Sequence, residues 1–322
     1  MGLIITGAGL VGSQIAKLTA ERGEKPVVFD VNPQPEAINQ IVSLEQIELV
    51  RGDVLNFEAL EETLKQTGAN KIIHTAANPM LTVGAQERPH DAIRLNIMGT
   101  MNVLELARRR DLDRVVFTSS GVLYTYRKGG SESGRLSEDN YPRPTTVYAS
   151  TKLACENLGL NYADAYGLEF IAVRFAAVFG PWGGKGGGGG PSNMFRQIIE
   201  KSLKGEPATI SPRVVEFVYS KDAARSTILA AEATAPKSRI YNVGMGKIYA
   251  PDSIVAIMRE KLPAAQITVQ QMAIGDPATV VNEPTDLTRS RQELGYEPRY
   301  DMPAAIHDYA DWYRHLGWVS KQ

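Results

Sequence analysis

Residues 1–16 read MGLIITGAGLVGSQIA, a short apolar run followed by glycines at 7, 9 and 12. Leu3 to Thr6 reads as a buried strand and Ser13 to Ala20 as a helix, so Gly7-Ala8-Gly9-Leu10-Val11-Gly12 falls in the turn between them. In such a unit the first glycine permits the turn and the second lets backbone N–H groups approach a pyrophosphate. The third lets helix and sheet pack closely, and the helix start favours the anion. The competing reading is a buried strand and a tight turn with no ligand. The next strand, Pro26-Val27-Val28-Phe29-Asp30, weighs against it, because it ends in a carboxylate near the spacing at which an acid meets the adenosine ribose hydroxyls. Residues Val31-Asn32-Pro33-Gln34-Pro35 offer no Arg or Lys to a 2′-phosphate, and Asp30 repels one. NAD is therefore expected rather than NADP; the plain alternative for Asp30 is a turn cap.

Further along, apolar segments at 47–50, 71–75 and 114–118 alternate with helical patterns at 56–66 and 92–110. This alternation predicts an α/β fold, a Rossmann-type doubly wound parallel sheet, because parallel strands need crossovers and are buried on both faces. Ligands then bind beyond the strand C-termini, where Asp53 with Val54, Ala76-Ala77-Asn78 and Thr118-Ser119-Ser120 are expected to share one crevice. From Phe179 the texture changes to Gly180-Pro181-Trp182-Gly183-Gly184-Lys185 and a glycine run through Gly190. The run is either an inter-lobe linker or a lid that brings Trp182 and Lys185 to a substrate. The expected division is a cofactor domain over 1–178, which also receives about 214–245, and a smaller C-terminal substrate lobe from 179–213 and 246–322.

Composition excludes several classes. The chain has 322 residues, 43% of them hydrophobic, with no apolar run long enough to span a bilayer. A net charge of −1 gives no field for nucleic acid, and Arg108-Arg109-Arg110 reads as a helix C-terminus. One cysteine, Cys155, leaves no intrachain disulfide and no cysteine-rich metal site, in keeping with a reducing cytoplasm; no metal is expected. The opening segment reads as strand one rather than as a secretory signal or an acylation site.

Chemistry gathers at Thr146-Val147-Tyr148-Ala149-Ser150-Thr151-Lys152. Tyr148 and Lys152 are four apart, hence on one helix face. A phenol is a poor base at neutral pH, and an adjacent ammonium is expected to lower its pKa. Tyr148 then exchanges the proton of a carbinol while a nicotinamide carries the hydride. Ser120, with Ser119 as second choice, supplies a hydroxyl to the reacting oxygen.

In this order, TGAGLVGSQ, Asp30, GDV at 52–54, HTAAN at 74–78, NIMGTMNVLELAR from Asn96, FTSSGVLY, YASTK, VRFAAVFGPWG and FVYSKDAA resemble an extended short-chain dehydrogenase/reductase of the NAD-dependent epimerase/dehydratase type. The resemblance implies that Gly7, Gly9, Leu10, Val11 and Gly12 hold the pyrophosphate, Asp30 the adenosine ribose, and Asp53 with Val54 the adenine. It implies that Ala76, Ala77 and Thr118 line the cofactor, that Phe175 and Ala176 lie near the nicotinamide, and that Lys152 also reaches the nicotinamide ribose. Asn96 is placed in the helix behind the site, in a structural or water-holding role, and is counted with the cofactor residues. A homodimer through the helix near Asn96 and the Tyr148 helix is a family expectation.

Departures from the family pattern narrow the substrate. Nucleotide-sugar members commonly carry Asn where Ala177 stands, and an Arg-Asp-Phe where this chain has Val215-Glu216-Phe217. Asn78, Ser119, Ser120, Tyr148, Ala177 and Arg213 are the expected substrate contacts, Arg213 as an anion anchor. Gly121-Val122 replaces the acid pair of the dehydratases, so loss of water is the least expected reaction. The reading is an NAD-dependent oxidoreductase acting on a secondary carbinol of a sugar or sugar acid, with a small-molecule substrate and neither nucleic-acid nor membrane partner. A sugar epimerase using the same residues is the alternative, and a non-catalytic cofactor-sensing regulator the third.

Overall fold

Both faces of a parallel strand must be apolar, and the strands of this chain alternate between two apolar clusters rather than between apolar and polar sides. The computed structural model describes residues 2–77, 87–124, 134–185, 190–212, 215–271 and 283–317. The first half of the chain gives β1 (Gly2–Thr6), α1 (Leu10–Ala20), β2 (Val27–Asp30), α2 (Pro35–Asn39), β3 (Glu48–Arg51), α3 (Phe57–Thr67) and β4 (Ala69–His74). There follow α4 (Pro89–Ile93), one π-helical turn (Arg94–Met98), α5 (Gly99–Arg109), β5 (Arg114–Ser120), α6 (Val147–Tyr166) and β6 (Phe170–Phe175). The remainder comprises β7 (Ala177–Phe179), α7 (Gly190–Leu203), β8 (Pro207–Ile210), β9 (Phe217–Tyr219), α8 (Ser220–Glu232), β10 (Ile240–Val243), α9 (Pro251–Lys261), β11 (Gln266–Val269), α10 (Thr288–Leu294) and α11 (Met302–His315).

Seven strands form one parallel sheet in the order β10-β6-β5-β4-β1-β2-β3. The chain runs outward from β1 to β3, returns to β4, and then builds in the opposite direction. That reversal puts a crevice beyond the C-termini of β1 and β4. Ile5, Val28, Ile73, Val116 and Ile171 face one cluster, shared with α1 and α8. Their neighbours Ile4, Val27, Ile72, Val115 and Phe170 face the other, shared with α3, α5 and α6. Leu158 and Leu160 of α6 pack against this second cluster, which is the core alternative to a dimer face.

A separate cluster joins α7, β8, α9, β11 and α11, with β8 and β11 pairing in parallel. Two boundaries differ from the sequence expectation. The segment after residue 214 becomes a strand only at Phe217–Tyr219 and pairs with β7 rather than with the central sheet. Its side chains alternate between cores, Val218 toward the sheet and Phe217 and Tyr219 toward the smaller layer. Leu287, Leu294 and Tyr296, expected in the smaller lobe, pack with the sheet cluster instead. Among the described residues no helix is long and apolar enough to cross a membrane.

Candidate active site

The glycines of the first turn have distinguishable causes. Gly7 has φ +93°, and a Cβ there would come within 2.7 Å of Thr75 Oγ1. A Cβ at Gly12 would lie 1.8 Å from the Gly7 carbonyl oxygen. Packing therefore demands both. At Gly9 a Cβ would meet nothing within 4 Å, so the protein alone does not require glycine there. Helix α1 starts at Leu10, three residues earlier than the apolar pattern suggested, with Gly9 as N-cap, no side-chain cap and no acid in its first turn. Its first N–H groups thus have no intrahelical acceptor. The floor is fixed by Thr75, whose hydroxyl donates to the Thr6 and Gly7 carbonyls.

Asp30 closes β2 and accepts hydrogen bonds from Ala8 N and Asn32 N, each at 2.7 Å. The turn-cap role is therefore real, and each carboxylate oxygen keeps further acceptor capacity. Asp53 similarly accepts from Leu55 N at 2.9 Å.

These groups line one cavity of about 950 Å³. Strand order lays out its wall. Gly7, Gly9, Leu10, Val11 and Gly12 follow β1, Asp30 ends β2, and Asp53 and Val54 follow β3. Across the reversal come Ala76 and Ala77 after β4, Thr118, Ser119 and Ser120 at the end of β5, and Phe175, Ala176 and Ala177 from β6 onward. Tyr148 and Lys152 reach the same cavity from α6, whose first turn is capped by Thr146 accepting from Ala149 N. Asn78 and Arg213 lie outside the described residues, as do residues 186–189 of the glycine run.

Lys152 is buried, donates to the Thr118 carbonyl at 2.8 Å, and sits 4.6 Å above the centre of the Phe117 ring. Burial pushes its ammonium down to about 8. Nothing among the described residues hydrogen-bonds the Tyr148 hydroxyl, and burial holds the phenol above the ordinary tyrosine value. The Tyr148 shift is thus upward, set by burial, where Lys152 was expected to bring it down. The ammonium is directed at a carbonyl and a ring face, 5.8 Å from the centre of the Tyr148 ring. Of the two serines, Ser120 Oγ accepts from Val122 N at 3.2 Å, while Ser119 Oγ is buried with no partner among the described residues.

Asn96 does not line the cavity, contrary to its place among the expected cofactor contacts; Leu95 does. Asn96 stands in the π turn, where Nδ2 donates to Thr151 Oγ1 and its carbonyl accepts from Thr100 Oγ1 and Cys155 Sγ. Thr100 gives its proton to Asn96, so its oxygen accepts from His74 Nε2 and leaves Nδ1 to accept from Thr6. His74 is accordingly neutral, its pKa pushed down to about 3 by burial and by the Lys152 charge.

Sequence reasoning missed part of the wall. Trp182, which the lid alternative would bring to a substrate, is 1% exposed within the sheet cluster and does not line the cavity. Lys185 stands on the Asp30 side, with its backbone bonded to the Gln34 side chain. Glu216 lines the far end and accepts from Gly246 N, Thr285 N and Thr285 Oγ1, so its carboxylate is a staple between loops. No local pattern carries these pairings, whose partners are 30 or more residues apart.

A model of the NAD dependent epimerase/dehydratase family matches residues 3–244. The chain is 27% identical to a UDP-glucose 4-epimerase of Corynebacterium glutamicum over 96% of its own length and 94% of that protein. Among solved structures, MoeE5 in complex with UDP-glucose and NAD is 27% identical with a TM-score of 0.79, covering 98% and 99% of the two chains. A partial consensus L-threonine 3-dehydrogenase is 25% identical with a TM-score of 0.80, covering 99% and 100%.

Proposed function

The chain belongs to the NAD-dependent epimerase/dehydratase family, and on that premise we propose that it is an NAD-dependent oxidoreductase acting on a secondary carbinol of a carbohydrate-like substrate. The observation that carries the reading is the convergence of the glycine turn, Asp30, Tyr148, Lys152 and the two β5 serines on one cavity. The fit of a dinucleotide is supported by Gly9, where open space replaces any internal reason for glycine, and by the uncapped start of α1 beside it.

Gly9, Leu10, Val11 and Gly12 hold the pyrophosphate, Asp30 and Asp53 the adenosine half, and Ala76, Ala77, Thr118, Phe175 and Ala176 the nicotinamide half. NAD, when bound, supplies the hydride acceptor. Tyr148 carries the proton of the reacting hydroxyl, and burial keeps the phenol in its protonated form, the one that can donate when a carbonyl is reduced. Lys152 fixes the α6 face against Thr118 and places a positive charge beneath the site. Ser120, with Ser119 behind it, orients the reacting oxygen. Beyond Ala177 the polar residues of the described wall are Lys185, on the Asp30 side, and Ser192, Glu216, Glu283 and Thr285. Hydroxyls and a bonded carboxylate suit a polyhydroxylated substrate better than a diphosphate. The layer that carries Ser192 forms the substrate lobe.

The second reading, epimerisation of a nucleotide sugar, is favoured by the UDP-glucose 4-epimerase relative and by the MoeE5 complex. Both readings share the first oxidation and differ in whether reduced cofactor is released. The deciding experiment incubates the purified chain and NAD with free sugars, sugar acids and UDP-sugars. Reduced cofactor is followed by absorbance and products by NMR. NADH accumulating with a keto or lactone product supports the first reading; an isomerised sugar without NADH rejects it.

A further inference from the structure

Phe179 and Trp182 are three residues apart and are 0% and 1% exposed, yet they belong to different cores. Phe179 packs with Phe195, Phe217 and Tyr219 in the smaller layer. Trp182 packs in the sheet cluster that includes Ala37 and Ile38 of α2. The chain between them therefore passes from the smaller layer to the sheet cluster beside α2. Beyond Trp182 it is held twice more: Trp182 Nε1 donates to the Lys185 carbonyl at 3.4 Å, and Gln34 clasps the Lys185 backbone. In that clasp Gln34 Nε2 donates to the Lys185 carbonyl at 3.1 Å, while Lys185 N donates to Gln34 Oε1 at 2.7 Å. Gln34 follows β2 by four residues, and both Gln34 and Lys185 line the cavity with Asp30 and Asn32.

We infer that residues 180–185 form a strap from the smaller layer to the rim of the dinucleotide groove, and that the Gln34–Lys185 pair of hydrogen bonds at that rim is the latch that sets how fast the dinucleotide leaves. The inference rests on the proposed NAD-dependent reading and goes beyond it, because it assigns the control of cofactor exchange to named residues. Trp182 is the permanent anchor, since its ring is fully buried. The latch is the releasable part: both of its hydrogen bonds are solvent-exposed, and exposed hydrogen bonds exchange with water at small net cost. The latch lies at the adenosine end with Asp30 and Asn32, so it governs residence of the cofactor without touching the reacting atoms. Retention is also what separates the two proposed reactions. An enzyme that returns its hydride to the substrate gains from a closed latch, whereas one that releases NADH opens it in every turnover.

The test uses the full chain. Release of NADH is followed by stopped-flow fluorescence for the wild type, Gln34→Ala and Gln34→Glu, and the melting temperature of each protein is measured without cofactor. Loss of both hydrogen bonds in Gln34→Ala is expected to raise the release rate about tenfold. Glu at this position still accepts from Lys185 N but no longer donates to the carbonyl, so its rate falls between the other two. The melting temperatures are expected to coincide, since the latch is exposed. A Gln34→Ala release rate within about twofold of wild type overturns the latch. A wild type that binds no NADH overturns the NAD-dependent reading itself.

Discussion

Two buried cations meet successive turns of α6, one from within the helix and one from β6, and the protein treats them in opposite ways. Lys152 points from α6 to a carbonyl and a ring face, with no carboxylate partner among the described residues. Arg174 reaches from β6 to Glu156, one turn beyond Lys152, through two hydrogen bonds of 2.9 and 2.7 Å. It also donates to Tyr124 Oη and to the Glu138 carbonyl. Burial works against the charge in both. For Arg174 the Glu156 hydrogen bonds and charge overcome that penalty and hold its pKa above the ordinary arginine value. For Lys152 burial wins. A buried charge with a bidentate partner is fixed and belongs to the framework. A buried charge held only by dipoles titrates within reach of neutral pH and is available for chemistry.

The largest effect expected from this contrast is on stability. Arg174→Met strands the Glu156 carboxylate in the core and is expected to cost about 3–5 kcal/mol by chemical denaturation. The double variant Arg174→Met/Glu156→Leu removes the stranded charge and recovers most of the loss. A single-variant cost under about 1 kcal/mol breaks the comparison.

Next comes the catalytic side. Tyr148→Phe is expected to lower kcat at least about a hundredfold, or roughly 3 kcal/mol in the barrier, with its melting temperature unchanged. Because Lys152 loses its proton near pH 8, carbonyl reduction with NADH is expected to decline as pH rises through that value. Lys152→Arg keeps its charge and moves the decline to higher pH. A decline that stays in place assigns it to another group.

A smaller effect has the opposite sign to the Arg174 result. Lys152→Met removes a lone buried charge and is expected to stabilise the fold by about 1–2 kcal/mol at neutral pH. The folded pKa of about 8 lies below the ordinary lysine value of 10.5, so between these values the unfolded chain binds the extra proton. Wild-type stability therefore rises with pH across that window, and the gap to Lys152→Met closes. The smallest effect is at His74. Burial is the first cause of its low pKa and the Lys152 charge the second, so in Lys152→Met its imidazole titrates at a modestly higher pH by NMR.

The same contrast explains what the sequence revealed. Tyr148 and Lys152 were legible because helical spacing puts residues four apart on one face, and the glycine turn because its strand and helix are contiguous. Strand existence followed from continuous apolar runs. The Arg174–Glu156 pair joins a strand to the preceding helix, and the Gln34–Lys185 latch spans 151 residues; neither has a local signature. Asn96 was placed behind the site, but the π turn that holds it there leaves no mark in composition. The reversed Tyr148 shift was illegible for a related reason, since only the packed structure shows where the Lys152 ammonium points.

The two anchors of the strap also limit mechanical range. Three residues of fully extended chain span at most about 10–11 Å. Phe179 and Trp182 are wedged in separate cores, so any hinge motion of the two layers must stop at that reach.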